Sequence, residues 1–126
     1  MKTQYAVALA VAAGIGLDAV AVQGLHAQAK PKAYVITESE IIDQQAYKEF
    51  APKAAEANKA LGGQYLARGG KIAALEGEPP KRVTISVYDS FEQAQASRTS
   101  DVRKAFASLR AKAIKTRSYI VEGLPN

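Results

Sequence analysis

The stretch Arg82-Val83-Thr84-Ile85-Ser86-Val87-Tyr88 alternates strictly. Val83, Ile85 and Val87 fall on one side of it, and Arg82, Thr84, Ser86 and Tyr88 on the other. A period of two among β-branched residues is the pattern of a strand with two unlike faces. Ser90-Phe91-Glu92-Gln93 follows at once, with a serine at the cap and a glutamine three residues on. That spacing is a capping box, so the strand hands over to a helix.

Ser100 is placed to cap a second helical segment, with Val102, Phe106, Leu109 and Ala113 forming its apolar stripe. Thr116 to Glu122 then reads as a final strand, ended by Gly123-Leu124-Pro125. Toward the N-terminus, Glu76 to Lys81 holds two prolines and reads as a loop. Gln64 to Arg68 reads as a short strand, Gly69-Gly70 as a turn, and Lys71 to Leu75 as the returning arm of a hairpin. Before these, Tyr47, Phe50, Ala54, Ala57 and Leu61 recur at helical spacing, with Asp43 at the cap and Gly62-Gly63 at the end. Pro52 lies inside that pattern and predicts a kink or a split. Lys32 to Glu38 reads as the first strand, apolar on both sides at Tyr34-Val35-Ile36.

The order is β-α-β-β-α-β, an α+β ferredoxin-like sandwich with an extra hairpin arm. Two helices would cover one face of a sheet ordered 4-1-3-2. Tyr34-Val35-Ile36 and Tyr119-Ile120-Val121 are apolar on both sides, so the second face also needs cover. A second copy of the chain is the simplest cover, which predicts a homodimer.

Residues 1–29 read differently. Lys2 precedes an apolar run from Tyr5 to Leu17, and Ala27-Gln28-Ala29 offers a cleavage site. The run falls short of the about 20 residues that span a bilayer, and Asp18 closes it. This is the pattern of a signal peptide, with a second A-x-A site at Ala19 to Ala21. Export to the periplasm or the medium is the expectation, with Lys30 as the new N-terminus and no membrane anchor left after cleavage. The domain proper would then be residues 30–126.

The 126 residues carry 48% hydrophobic and 23% charged side chains, enough for one core and unlike a disordered chain. The net charge of +5 comes from scattered lysines and arginines. Without basic blocks or aromatic–basic alternation, nucleic acid is not an expected partner. There is no cysteine, and the single histidine, His26, lies in the leader. The usual zinc, copper and haem ligands are therefore missing from the domain, and neither a metal nor a cofactor is expected.

Residues 33–123 resemble the bacterial family of unknown function numbered 1330, within the dimeric α+β barrel group. The resemblance rests on Tyr65-Leu66-Ala67-Arg68-Gly69-Gly70, Leu75-Glu76-Gly77, Pro80-x-Arg82 leading into a strand, Ser90 with Glu92 and Ala94, and Ile120-Val121-Glu122-Gly123. It implies a ferredoxin-like fold that pairs as a dimeric α+β barrel, and it implies no settled activity. The family often has an aromatic pair and then a Ser-Pro-Glu-Tyr-like segment where this chain has Ser97-Arg98 and Ser100-Asp101-Val102-Arg103. It often has proline where this chain has Gln44.

Six residues form the candidate ligand site. In a 4-1-3-2 sheet the ends of strands one and two flank the start of strand three, which gathers Glu38, Arg68 and Arg82. A Glu38–Arg82 salt bridge is one reading of that group; reception of an organic anion by the two guanidiniums is the other. Thr84, Ser86 and Tyr88 would extend from Arg82 across the face that a dimer encloses. Two function classes follow: a small-molecule binding domain or cofactor-free enzyme using that face, and a non-catalytic structural or stress-related dimer. An enzyme lacking His and Cys would have to shift a carboxylate or tyrosine pKa by burial.

Overall fold

The computed structural model describes residues 30–125, and the folded unit is Pro31–Leu124. The leader, its two cleavage sites and His26 lie outside the described residues. No helix among the described residues is long and apolar enough to cross a membrane.

Strand β1 (Ala33–Ile41) leads into helix α1 (Gln44–Ala60). Strands β2 (Gln64–Arg68) and β3 (Arg82–Tyr88) follow. Three short helices come next, α2 (Phe91–Arg98), α3 (Asp101–Lys104) and α4 (Ala107–Ala113), before the final strand β4 (Ile114–Glu122). The four strands form one antiparallel sheet in the order β2-β3-β1-β4, which is the expected ferredoxin-like arrangement.

The caps act where the sequence places them. Asp43 Oδ1 accepts from Ala46 N–H at 2.9 Å, and Ser90 Oγ accepts from Gln93 N–H at 3.1 Å. Gln93 returns through Oε1 to Asp89 N–H at 3.1 Å, and its Nε2 donates to Leu61 O at 3.4 Å, tying the end of α1 to the start of α2. Between them Gly63 passes so close to Tyr88 and Asn58 that a Cβ would come within 2.7 Å of the Tyr88 ring. Only glycine fits that approach.

Three expectations are corrected. Pro52 does not split α1, which runs unbroken. Pro52 and Lys48 are both exposed, so the carbonyl that Pro52 leaves unpaired one turn back lies on the solvent side and can bond to water. The hairpin arm is absent: Lys71 to Leu75 is exposed irregular chain, and Leu75 is 96% exposed. Gly69 N–H still reaches Val83 O at 2.9 Å, but beyond it the chain leaves the sheet and β2 remains an edge strand. The stripe Val102–Phe106–Leu109–Ala113 is also not one helix face. The chain breaks between α3 and α4, burying Phe106 and Ala113 and leaving Val102 exposed.

The fourth correction decides the site. Arg82, Thr84, Ser86 and Tyr88 do not face the open side of the sheet; they face the helices. Ser86 lies opposite Val35 and Thr84 opposite Thr37, and these residues line a pocket together with side chains of α1. Tyr88 is 1% exposed and packs with Ala33, Val35 and Ala94. The apolar row Val83, Ile85 and Val87 shares the helix-free face with Tyr34 and Ile36 of β1, and with Tyr119 and Val121 of β4. The usual rule, apolar side inward, is inverted on β3 because three arginines of the helical layer share the pocket it lines, and they suit hydroxyls better than valines. The apolar core under the helices is correspondingly small, with Phe50 against Phe106 (ring centroids 5.9 Å apart) beside Ala46, Ala57, Ala113 and Ile114.

Candidate functional site

The pocket lies between the sheet and the helices and has a volume of about 80 Å³. Its floor is Arg82, Thr84 and Ser86 of β3 with Val35, Thr37 and Ser39 of β1. Strand β2 contributes Tyr65 and Arg68 through a bulge. Tyr65 pairs with Ser86 and Arg68 with Thr84, so one extra residue between them brings both to the same face although they are three apart. In a regular strand an odd separation would put them on opposite faces. Helix α1 supplies Tyr47, Ala51 and Asn58, and the helical layer that follows β3 supplies Arg98, Arg103 and Arg110.

Five guanidiniums therefore line one small space, and no Asp or Glu does. Each is held differently. Arg68 sits 4.8 Å from the Tyr65 ring centroid and donates to Ala51 O at 3.3 Å. Arg82 lies 5.5 Å from the Tyr47 ring centroid. It also packs onto Gly69, whose φ of +68° and missing Cβ make room for it. Arg103 donates through Nε to Ser97 O at 3.1 Å and through Nη2 to Tyr88 Oη at 3.1 Å. The Tyr88 hydroxyl in turn donates to Asn58 Oδ1 at 3.0 Å. Arg110 reaches Ser118 Oγ at 3.4 Å, and Ser118 donates to Thr37 Oγ1 at 3.0 Å.

Arg98 makes no hydrogen bond or ion pair among the described residues. Burial, and then the neighbouring Arg103 and Arg110, push its pKa down to about 10. Burial and Arg103 lower that of Arg110 as well. Tyr65 moves up, because burial outweighs the opposing pull of Arg68 and Arg103, so its phenol stays protonated at neutral pH. The arrangement can attract, orient and hydrogen-bond an anion. It presents no carboxylate to exchange protons near neutral pH.

Of the six residues singled out from the sequence, Arg68, Arg82, Thr84 and Ser86 meet in this pocket. Tyr88 stands behind it and fixes Arg103. Glu38 is elsewhere, and no Glu38–Arg82 salt bridge forms. Arg82 lies opposite Ser39, whereas Glu38 lies opposite Val83 and Arg117, on the helix-free face. There Arg117 Nη2 donates to both Glu38 oxygens at 3.0 Å and the Tyr119 hydroxyl donates at 2.9 Å. These hydrogen bonds hold the Glu38 carboxyl below its ordinary pKa. Arg98, Arg103 and Arg110 were not singled out from the sequence, although two of them stand where the chain departs from the family pattern.

Tyr88→Phe tests the support behind Arg103. It leaves the buried Asn58 oxygen without its donor and frees one arm of Arg103. The expected loss is about 1–3 kcal/mol, the usual cost of orphaning a buried polar group, read as a lower denaturant midpoint.

An α+β domain with an arginine-lined pocket between its two layers is the class that fold and site define. Residues 32–124 match the family Domain of unknown function (DUF1330), and the chain belongs to that family. No curated protein matches it. Among solved structures it is similar to two crystal structures of RPA0582. The first is RPA0582 as a protein of unknown function from Rhodopseudomonas palustris: TM-score 0.62, 16% identity, covering 77% of this chain and 85% of that one. The second is the methylated form of RPA0582: TM-score 0.61, 16% identity, covering 75% and 82%. At that identity the likeness is one of fold.

Proposed function

We propose that the domain binds a small organic anion in the pocket between sheet and helices, without assigned catalysis. The observation that carries this reading is the convergence of five guanidiniums on one space with no carboxylate among its lining residues. Arginines that exist for structure alone are ordinarily balanced by acidic partners, since an unpaired buried charge is costly. Here the Arg98 side chain has neither an acceptor nor a carboxylate partner among the described residues, and its depressed pKa reflects its burial beside Arg103 and Arg110. An anionic ligand would offset it, through planar bidentate pairs that guanidinium makes well.

Two further readings belong to the same proposal. The leader pattern of residues 1–29 supports export with cleavage after Ala29. The apolar rows of the helix-free sheet face support a homodimer joined there, which leaves the anion pocket on the far side of each sheet from its partner.

Native mass spectrometry of the protein purified from its host reads all three. The expected species is a dimer of chains that begin at Lys30, carrying a small anionic adduct that gentle activation removes. A chain that keeps Met1 would end the export reading, and a monomer the dimer reading. A protein that carries no adduct and acquires none when incubated with carboxylates or phosphate would end the anion reading.

A further inference from the structure

The five arginines are not one cluster. Arg98 and Arg110 both feel the charge of Arg103, and Arg98 that of Arg110 as well, so the three guanidiniums stand near each other. The same three side chains line a second cleft of about 210 Å³ with Lys104, whereas Arg68 and Arg82 do not. Arg68 and Arg82 have supports of their own, the rings of Tyr65 and Tyr47 and the backbone at Gly69. The pocket thus has two cationic poles, one brought by the helical segments after β3 and one at the end of β2 and the start of β3. Between them run the hydroxyls of Thr84 and Ser86.

We propose that the pocket recognises a dianion, a short dicarboxylate with one carboxylate at Arg68 and Arg82 and the other at the Arg98–Arg103–Arg110 triad. A single anionic group can engage only one pole and leaves the other unbalanced. A pocket of about 80 Å³ is small beside the few hundred Å³ of ordinary ligand sites, which favours a short chain. The second cleft, cationic at Arg98, Arg103, Lys104 and Arg110, would raise the local anion concentration beside this pole.

This inference rests on the anion reading, and one titration series separates the two. Isothermal titration of the full purified protein uses malonate, succinate and glutarate, with butyrate and inorganic phosphate as single-headed probes. The expected result is at least tenfold tighter binding of the best diacid than of butyrate or phosphate. Arg82→Gln and Arg98→Gln, each removing one pole, should both reduce that diacid to the affinity of butyrate, with thermal melts confirming that each variant is folded. Butyrate or phosphate binding as tightly as every diacid would overturn the dianion and leave the anion reading intact. Loss of diacid selectivity in only one of the two variants would overturn the two-pole assignment. Failure of all five probes to bind would overturn both readings.

Discussion

Arg98→Met should raise the melting temperature of the anion-free protein while weakening its binding of a diacid to the level of a monoacid. Arg98 lies at the end of α2, half-buried, beside Arg103 and Arg110 and without an acidic partner among the described residues. Its folded-state pKa is about 10, well below the ordinary guanidinium value. For a base, a lowered folded pKa means that folding disfavours the charged form. The penalty is fully present below pH 10, neutral pH included, and fades only as pH rises above 10 toward the ordinary guanidinium range. Methionine removes the charge and keeps most of the side chain's length and apolar contact. With part of the side chain screened by solvent, the expected gain is about 1 kcal/mol, or about 4–8 °C for a domain of this size. Added succinate should then raise the melting temperature of the wild type, by mass action on the folded state, by more than it raises that of the variant. A variant that melts lower than the wild type without ligand would show that Arg98 is a structural support. Such a trade of stability for a charged site is the common signature of function in a fold.

The contrast between Arg82 and Arg98 shows what can be read from sequence here. The strand at Arg82–Tyr88, its handover to a capped helix, and the sheet order all follow from local patterns: period two, a Ser-x-x-Gln box, and alternating elements. Strand order also brings Arg68 near Arg82. Alternation defines two faces, however, and does not say which is covered. That depends on the helical layer, and here the helices bring arginines, so the hydroxyl row goes inward and the valine row outward. Glu38 was paired with Arg82 by the nearness of strand ends; the register sets it one position off and on the other face. The bulge that aligns Tyr65 with Arg68 leaves no local mark in Gln64–Arg68. Arg98, Arg103 and Arg110 lie on polar helical segments, where arginines ordinarily read as solvated surface. The one signal was comparative: Ser97-Arg98 and Arg103 stand where related chains often carry aromatic or Ser-Pro-Glu-Tyr-like residues, and these are positions that turn toward the pocket or the core.

Ile85→Glu should convert the inferred dimer into a folded monomer. Ile85 lies on the helix-free face, directly opposite Ile36, which in turn lies opposite Tyr119. Val83, Val87, Tyr34 and Val121 surround this row, and Val121 and Tyr119 remain 46% and 40% exposed in the single chain. An apolar face of this kind, bare beside a covered one, marks an interaction surface. The Glu38–Arg117–Tyr119 trio sits at its edge already neutralised within the chain, so it presents no unpaired charge to a partner. A glutamate at position 85 does. Seated against the apolar face of a second copy, its carboxylate would be desolvated without a partner. The expected cost is on the order of 3–5 kcal/mol, which weakens the dimer by more than a hundredfold. In the monomer the same side chain points to water, away from α1 and the pocket, so circular dichroism and succinate affinity should stay near wild type. Sedimentation at micromolar concentration reads the result. A wild-type monomer would refute the interface, and so would an Ile85→Glu dimer of unchanged affinity. If the glutamate variant fails to fold, Ile85→Thr keeps the β-branched shape, removes only the apolar character, and should still shift the equilibrium toward monomer.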